Sequence, residues 1–233
     1  MKIKIRIELS KFSIGVLGIC FLLPLLCYGV GSGMLGPAFE LEPASMTLPE
    51  SLLNFKIGAL LIVGNSMVVL AIASLLFPVL NRYSPHVAMG YLFGRISEAL
   101  LLLAGLIATL SFVYVVQNSL AADSGVLAGL EQAKWLAQGF NHYAFQVSML
   151  ILGLGSLPVF YLFYVQKLIP RILSVWGVAG YGLLLTGAVA ELLGYQIGLM
   201  LSIPGGLFEL SFAVWLVMAA FTVNNNETSP SVG

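Results

Sequence analysis

The sequence predicts an all-α fold: a polytopic membrane protein of six transmembrane helices with both termini in the cytoplasm. Three observations carry this reading. Of the 233 residues, 59% are hydrophobic and 9% charged, whereas soluble domains run at roughly 45–50% apolar and about 25% charged. So little charge cannot coat a water-soluble surface, which excludes a soluble enzyme, and a mean hydropathy of +1.00 excludes disorder. The apolar residues also fall into six long continuous runs, unlike the alternating segments of about ten residues that build membrane barrels. Finally, Lys and Arg gather on alternate loops, as cytoplasmic segments do.

A helix needs roughly 20 mostly apolar residues to cross about 30 Å of hydrocarbon. The first run, Phe12 to Met34, follows Lys2, Lys4, Arg6 and Lys11. Its apolar core exceeds the roughly 7–15 residues of a signal peptide and no A-x-A site follows, so it is expected to be a retained helix. Ile19 and Leu26 stand before Cys20 and Cys27, where a lipoprotein acceptor would have a small residue. The second run is Ile57 to Leu80 and the third Ala88 to Val116, with Arg82 between them. The fourth is Tyr143 to Val165 and the fifth Ile172 to Leu193, joined by a turn with Lys167 and Arg171; the sixth is Pro204 to Val223. Glu40, Glu42, Glu50, Asp123 and Glu131 fall on the opposite side, where Lys56 and Lys134 are the bases.

Residues 1–223 thus form one membrane domain, and the polar tail 224–233 is expected to be disordered in the cytoplasm. Of the outer segments, Leu35–Phe55 contains Gly36-Pro37, Pro43 and Pro49 and reads as a turn region with little helix before Ser51. Gln117–Asn141 starts with the turn formers Asp123-Ser124-Gly125 and then turns helical. With a Glu131–Lys134 pair and an interfacial Trp135, it is expected to be an amphipathic extension leading into the fourth span. The turns Arg82-Tyr-Ser-Pro85-His86 and Lys167-Leu-Ile-Pro170-Arg171 share a spacing that either an internal repeat or the fit of proline at a helix start would explain. Gly90, Gly94 and Ser97, Gly153 and Ser156, and Gly177, Gly180 and Gly187 mark faces where helices approach closely.

The informative residues are those expensive to bury, since an ionisable group at mid-span costs at least about 2.5–3.5 kcal/mol and usually has a partner or a task. They are Arg95 and Glu98 in the third span, Glu191 in the fifth, Glu209 in the sixth, His142 and Gln146 at the head of the fourth, and Asn65 in the second. At about 1.5 Å per residue, Arg95 lies about 10 Å and Glu98 about 15 Å from the cytoplasmic boundary, while Glu209 lies about 7 Å below the outer one. The set leans to the outer half and suggests one outward-facing polar pocket with Arg95–Glu98 as its floor. Glu209 is expected in the first turns of its helix, where the dipole favours a carboxylate. Each residue also has a plain structural reading: a self-neutralising pair for Arg95 and Glu98, and a water-reaching helix end for Glu191 and His142.

The cofactor is left unknown, and no metal is expected. Of the two histidines, His86 falls in a cytoplasmic loop and His142 at the outer side, so two-histidine haem ligation is unavailable. There is no H-E-x-x-H, G-x-x-x-x-G-K or C-x-x-C, and Cys20 and Cys27 are too far apart on one helix for a disulfide. With 10 Lys+Arg against 10 Asp+Glu, nothing recommends a nucleic-acid partner.

The stretch His142, Gln146, Gly153-Leu-Gly155-Ser156-Leu157, Phe160-Tyr161-Leu162-Phe163-Tyr164, Leu168-Ile169-Pro170-Arg171, Ser174-Val175-Trp176-Gly177 and Gly180-Tyr181 resembles the bacterial membrane family called domain of unknown function 4386. Pro204-Gly205-Gly206-Leu207-Phe208-Glu209, Trp215-Leu216 and Arg95-Ile-Ser-Glu98-Ala99 fit the same pattern, which covers roughly the last two thirds of the chain. The resemblance implies a multi-pass inner-membrane protein and places Arg95, Glu98, His142 and Glu209 within its pattern, without a reaction or substrate. Three functional readings stand on the sequence. The first is a pocket that binds or moves a small or lipid-like ligand, for which full transport by six spans would call for a homodimer. The second is an intramembrane enzyme using His142 or Glu209 as base, and the third an accessory subunit whose charges are merely paired.

Overall fold

The computed structural model describes residues 9–39, 49–119 and 124–222. Six helices follow one another: α1 (Lys11–Leu35), α2 (Pro49–Tyr83), α3 (Pro85–Asn118), α4 (Ser124–Gln166), α5 (Arg171–Leu192) and α6 (Gly198–Thr222), with a short 3-10 turn at Gly36–Phe39. All six are long and apolar enough to cross a membrane, and no strand occurs among the described residues. The tail 224–233, the basic residues Lys2, Lys4 and Arg6, and Glu40, Glu42, Pro43 and Asp123 lie outside the described residues.

Each expected span is a helix, but several helices outrun their apolar stretch. α2 starts at Pro49 rather than Ile57, using proline's fit to a first helical turn. The outer extension and the fourth span are one continuous helix of 43 residues, about 65 Å long at 1.5 Å per residue. α6 starts at Gly198, which puts Pro204 inside the helix instead of at its head. Hydropathy marks where a helix meets hydrocarbon, and these helices continue past that boundary.

Local chemistry sets the short turns. Ser10 caps α1 by accepting from the Ser13 N–H at 3.1 Å. Ser84 does the same for α3, accepting from Val87 with Pro85 in the first turn. Between α4 and α5, Lys167 takes a left-handed conformation at φ 54°, while Leu168 and Ile169 are buried. That turn is therefore anchored in the core.

Every helix packs on its neighbours in sequence, and α6 closes on α1, whereas other pairs meet only sparsely. The result is a ring of helices in chain order. At the end where α1 begins and α6 finishes, the ring is filled by a dense core that includes Phe21, Leu76, Tyr91, Phe160, Phe163, Tyr181, Phe208 and Phe212. A smaller cluster of Leu35, Phe55, Leu106, Phe112 and Val116 joins α1 to α4 at the other end. Close helix approach rests on the small residues. A Cβ on Gly180 would lie 3.0 Å from the Gly205 Cα, and one on Gly177 2.8 Å from the Phe160 ring. Gly94 faces Gly155 across α3 and α4. Gly90 departs from the expected packing role: it is exposed, and nothing lies within 4 Å of where its Cβ would be.

Candidate functional site

Between the two cores the ring is hollow. On α3, Tyr91, Arg95 and Glu98 succeed one another at three- and four-residue spacing, which brings them to one helix face. Arg95 is 4% exposed and Glu98 3%. Arg95 donates from Nη1 to both Glu98 carboxylate oxygens, at 2.9 and 3.2 Å, and from Nε to the Tyr91 hydroxyl at 3.0 Å. Its Nη2 makes no hydrogen bond among the described residues. Burial, a carboxylate and a phenol hold the guanidinium away from any escape to the surface, yet one of its nitrogens is unspent.

On α6, Glu209 is half-buried and accepts a 2.6 Å hydrogen bond from the Tyr181 hydroxyl of α5 on Oε1. Its second oxygen has no partner among the described residues. On α2, Asn65 is 2% exposed and its amide likewise finds no partner. Asn65, Arg95, Glu98 and Glu209 line one cavity of about 230 Å³, together with Tyr28, Phe145, Met149 and Tyr181. Phe21 and Tyr181 close it toward the chain termini, since they pack on Phe212 and Phe160 of the aromatic core. At its side it is lined by Leu25 and Gly29 of α1, which are exposed, and by Ser202 and Gly206 of α6.

The expected single pocket is in fact divided. His142 lines a second cavity of about 340 Å³ with Thr109, Gln138 and Asn141. Asn141 donates to Thr109 at 3.2 Å there. Tyr28, Leu102 and Phe145 line both cavities, and the rings of Tyr28 and Phe145 stack at 5.1 Å to form the partition. Gln146 is buried but lines neither cavity, because the neighbouring residues Phe145 and Met149 occupy the inward face of α4.

Glu191 and Glu209 exchange the roles expected of them. Glu209 lies 11 residues beyond Gly198, the start of α6, and a helix dipole fades within the first turn. The dipole therefore does not account for it; Tyr181 does. Glu191 is the carboxylate at that helix start, accepting from the Gly198 N–H at 2.8 Å. Its side chain is 12% exposed and stands 3.8 Å from His142, which is 49% exposed. Glu191 thus joins α5, α6 and α4 and lines neither cavity.

Tyr28, Tyr91 and Tyr181 were not foreseen. The available signal was a phenol within an apolar span, since a buried Tyr hydroxyl usually finds a partner. Replacing Tyr181 with Phe keeps its ring stack but strips Glu209 of its donor. The expected outcome is a loss of about 1–3 kcal/mol, read as a lower melting temperature in detergent. Among the described residues no three His, Cys, Asp or Glu side chains come together as metal ligands.

A closed ring of membrane-length helices around a buried, charged cavity defines a multi-pass membrane protein. Over residues 16–220, from within α1 to within α6, the chain matches the family described as Domain of unknown function (DUF4386), and it belongs to that family. No curated protein and no solved structure matches the chain.

Proposed function

We propose that the protein sits in the plasma (inner) membrane with both termini in the cytoplasm and binds, for passage or retention, a small or lipid-like ligand in its central cavity. The placement of Lys11, Arg82, Lys167 and Arg171 at the end of the ring where the chain starts and finishes supports that orientation. The cavity then opens on the outer side of the aromatic core. The observation that carries the reading is the set of unspent polar atoms: Nη2 of Arg95, the Asn65 amide and one oxygen of Glu209. Polar groups away from bulk water are ordinarily satisfied, and these three belong to residues that line one hollow, where a polar ligand could meet them together.

An accessory subunit with paired charges leaves these open atoms unexplained. An acid–base enzyme needs its base within about 3 Å of the target, directly or through one water. As that reading has it, His142 or Glu209 would be the base, each in its own cavity. Transport, as opposed to binding, would engage a homodimer, because six spans form a single ring here.

Native mass spectrometry of the purified chain tests the reading. The parent protein is expected to carry a bound small molecule from the membrane, and Asn65→Leu to lose most of it while keeping its melting temperature. A parent protein that arrives empty from several mild detergents, with an Asn65→Leu variant more stable than the parent, overturns it.

A further inference from the structure

The cavity's charge does not balance. Arg95 contributes one positive charge, Glu98 and Glu209 two negative ones, and the remaining lining residues carry none. Glu98 receives both of its hydrogen bonds from Arg95, and the two neutralise each other. Glu209 has only a neutral phenol, Tyr181, for a partner. A partly buried carboxylate in an apolar hollow favours a positive charge beside it, and among the described residues no basic side chain forms an ion pair with Glu209.

We propose that the central cavity takes an organic ammonium, its charged nitrogen on the open oxygen of Glu209, its apolar body among the rings, and a neutral oxygen acceptor on Arg95 and Asn65. The claim rests on the ligand-binding reading above and names its chemical class. An inorganic cation suits the hollow poorly, because hard cations want six or more oxygen ligands. Here most of the wall is apolar, with Phe21, Ile72, Leu102, Met149 and Leu152 among its residues. An anion would meet Nη2 of Arg95 but would bring a third negative charge to a site that already has one in excess. A cation would also find the aromatic side chains of Tyr28 and Phe145 in the lining, and aromatic ring faces attract positive charge.

Size narrows the class further. A cavity of roughly 150 Å³ holds a benzene molecule, so about 230 Å³ admits a ring-sized body with a short polar arm. It does not admit a whole phospholipid.

Three probes that share one benzene ring and differ in charge test the proposal: 2-phenylethylammonium, 2-phenylethanol and phenylacetate. Each is titrated calorimetrically into the full-length chain in detergent. The ammonium is expected to bind about tenfold tighter than the alcohol, in line with the greater strength of charge-assisted hydrogen bonds, and phenylacetate weakest. In Glu209→Gln, which retains an acceptor for Tyr181, the ammonium and the alcohol are expected to bind within about twofold of each other, since the charge-assisted bond is gone. Asn65→Leu should weaken both alike. Phenylacetate binding as tightly as the ammonium to the parent chain overturns the proposal, as does an ammonium preference that survives in Glu209→Gln. Saturable binding without charge preference overturns the cation but keeps the ligand site. No saturable binding of any probe overturns both. The charge ranking on the parent chain alone decides the sign should the variant fail to fold.

Discussion

Glu98→Gln is expected to destabilise the protein by about 3–5 kcal/mol, the usual cost of removing one partner of a buried ion pair. The geometry explains why so small a change is so costly. Arg95 is 4% exposed and gives both of its Nη1 hydrogen bonds to the Glu98 carboxylate. With Gln in that place the guanidinium keeps the Tyr91 hydroxyl and faces a neutral amide, so a whole positive charge stays desolvated. Moving Arg95 out is no remedy, because Tyr91 sits at its Nε and beneath its guanidinium, 5.3 Å from ring centre to Cζ. Arg95→Met combined with Glu98→Met should recover much of the loss, since an apolar pair of similar volume is often as stable as a buried ion pair. Recovery stays partial because the Tyr91 hydroxyl loses its partner. Thermal melts of the three variants in one detergent check this. An unchanged melting temperature for Glu98→Gln would mean that water reaches the pair.

The second large effect belongs to Gly180→Val. The Cβ alone would stand 3.0 Å from the Cα of Gly205 and 3.4 Å from the Pro204 carbonyl oxygen. These are backbone atoms of α6 and cannot rotate aside. Overpacking a tight core costs about 1–3 kcal/mol and occasionally more, and with backbone as the obstacle the upper end, about 3 kcal/mol, is expected. Parting α5 from α6 would also break the bond from the Trp176 indole N–H to the Pro204 carbonyl, now 3.2 Å, and lengthen the one from Tyr181 to Glu209, now 2.6 Å. Cysteine cross-linking between α5 and α6, compared in the parent and the variant, checks whether the helices have moved. Gly182→Val is the control, as nothing lies within 4 Å of its Cβ position.

The membrane spans were legible because hydrocarbon imposes its length on any run that crosses it, and each apolar run became a helix. The Arg95–Glu98 pair was legible for a related reason: spacing of three on a helix leaves the two side chains little choice but to meet. What lay beyond the apolar runs was not. The start of α6 at Gly198 is hidden because Gly198 to Ile203 differ little in hydropathy from their surroundings, and Pro204 looked like the natural head. With α6 starting at Gly198, its dipole acts at Glu191 and not at Glu209. The division of the pocket was illegible for another reason. His142 and Gln146 share a spacing of four, but which face of α4 turns inward depends on its rotation against α3 and α5. Only packing fixes that rotation, and it turns Phe145 and Met149 to the hollow. Closure of α6 on α1 left no local trace, because pairing between the ends of a chain depends on every helix between them.

That closure has a consequence for how the protein is made. Helices enter the membrane in the order of synthesis, and the contacts from α1 through α6 can form as each newcomer docks on its predecessor, with short separations along the chain. The joint between α1 and α6 must wait for α6, although its fit too is close: a Cβ on Gly18 would stand 3.0 Å from the Ala213 carbonyl oxygen. Until then the nascent protein is a trough, with Arg95, Glu98 and Tyr181 facing lipid and Glu209 not yet made. A ribosome that stalls before Gly198 leaves five helices with an exposed ion pair. The last 25-residue helix is at once the wall that completes the cavity, the carrier of its second carboxylate and the latch that seals the ring.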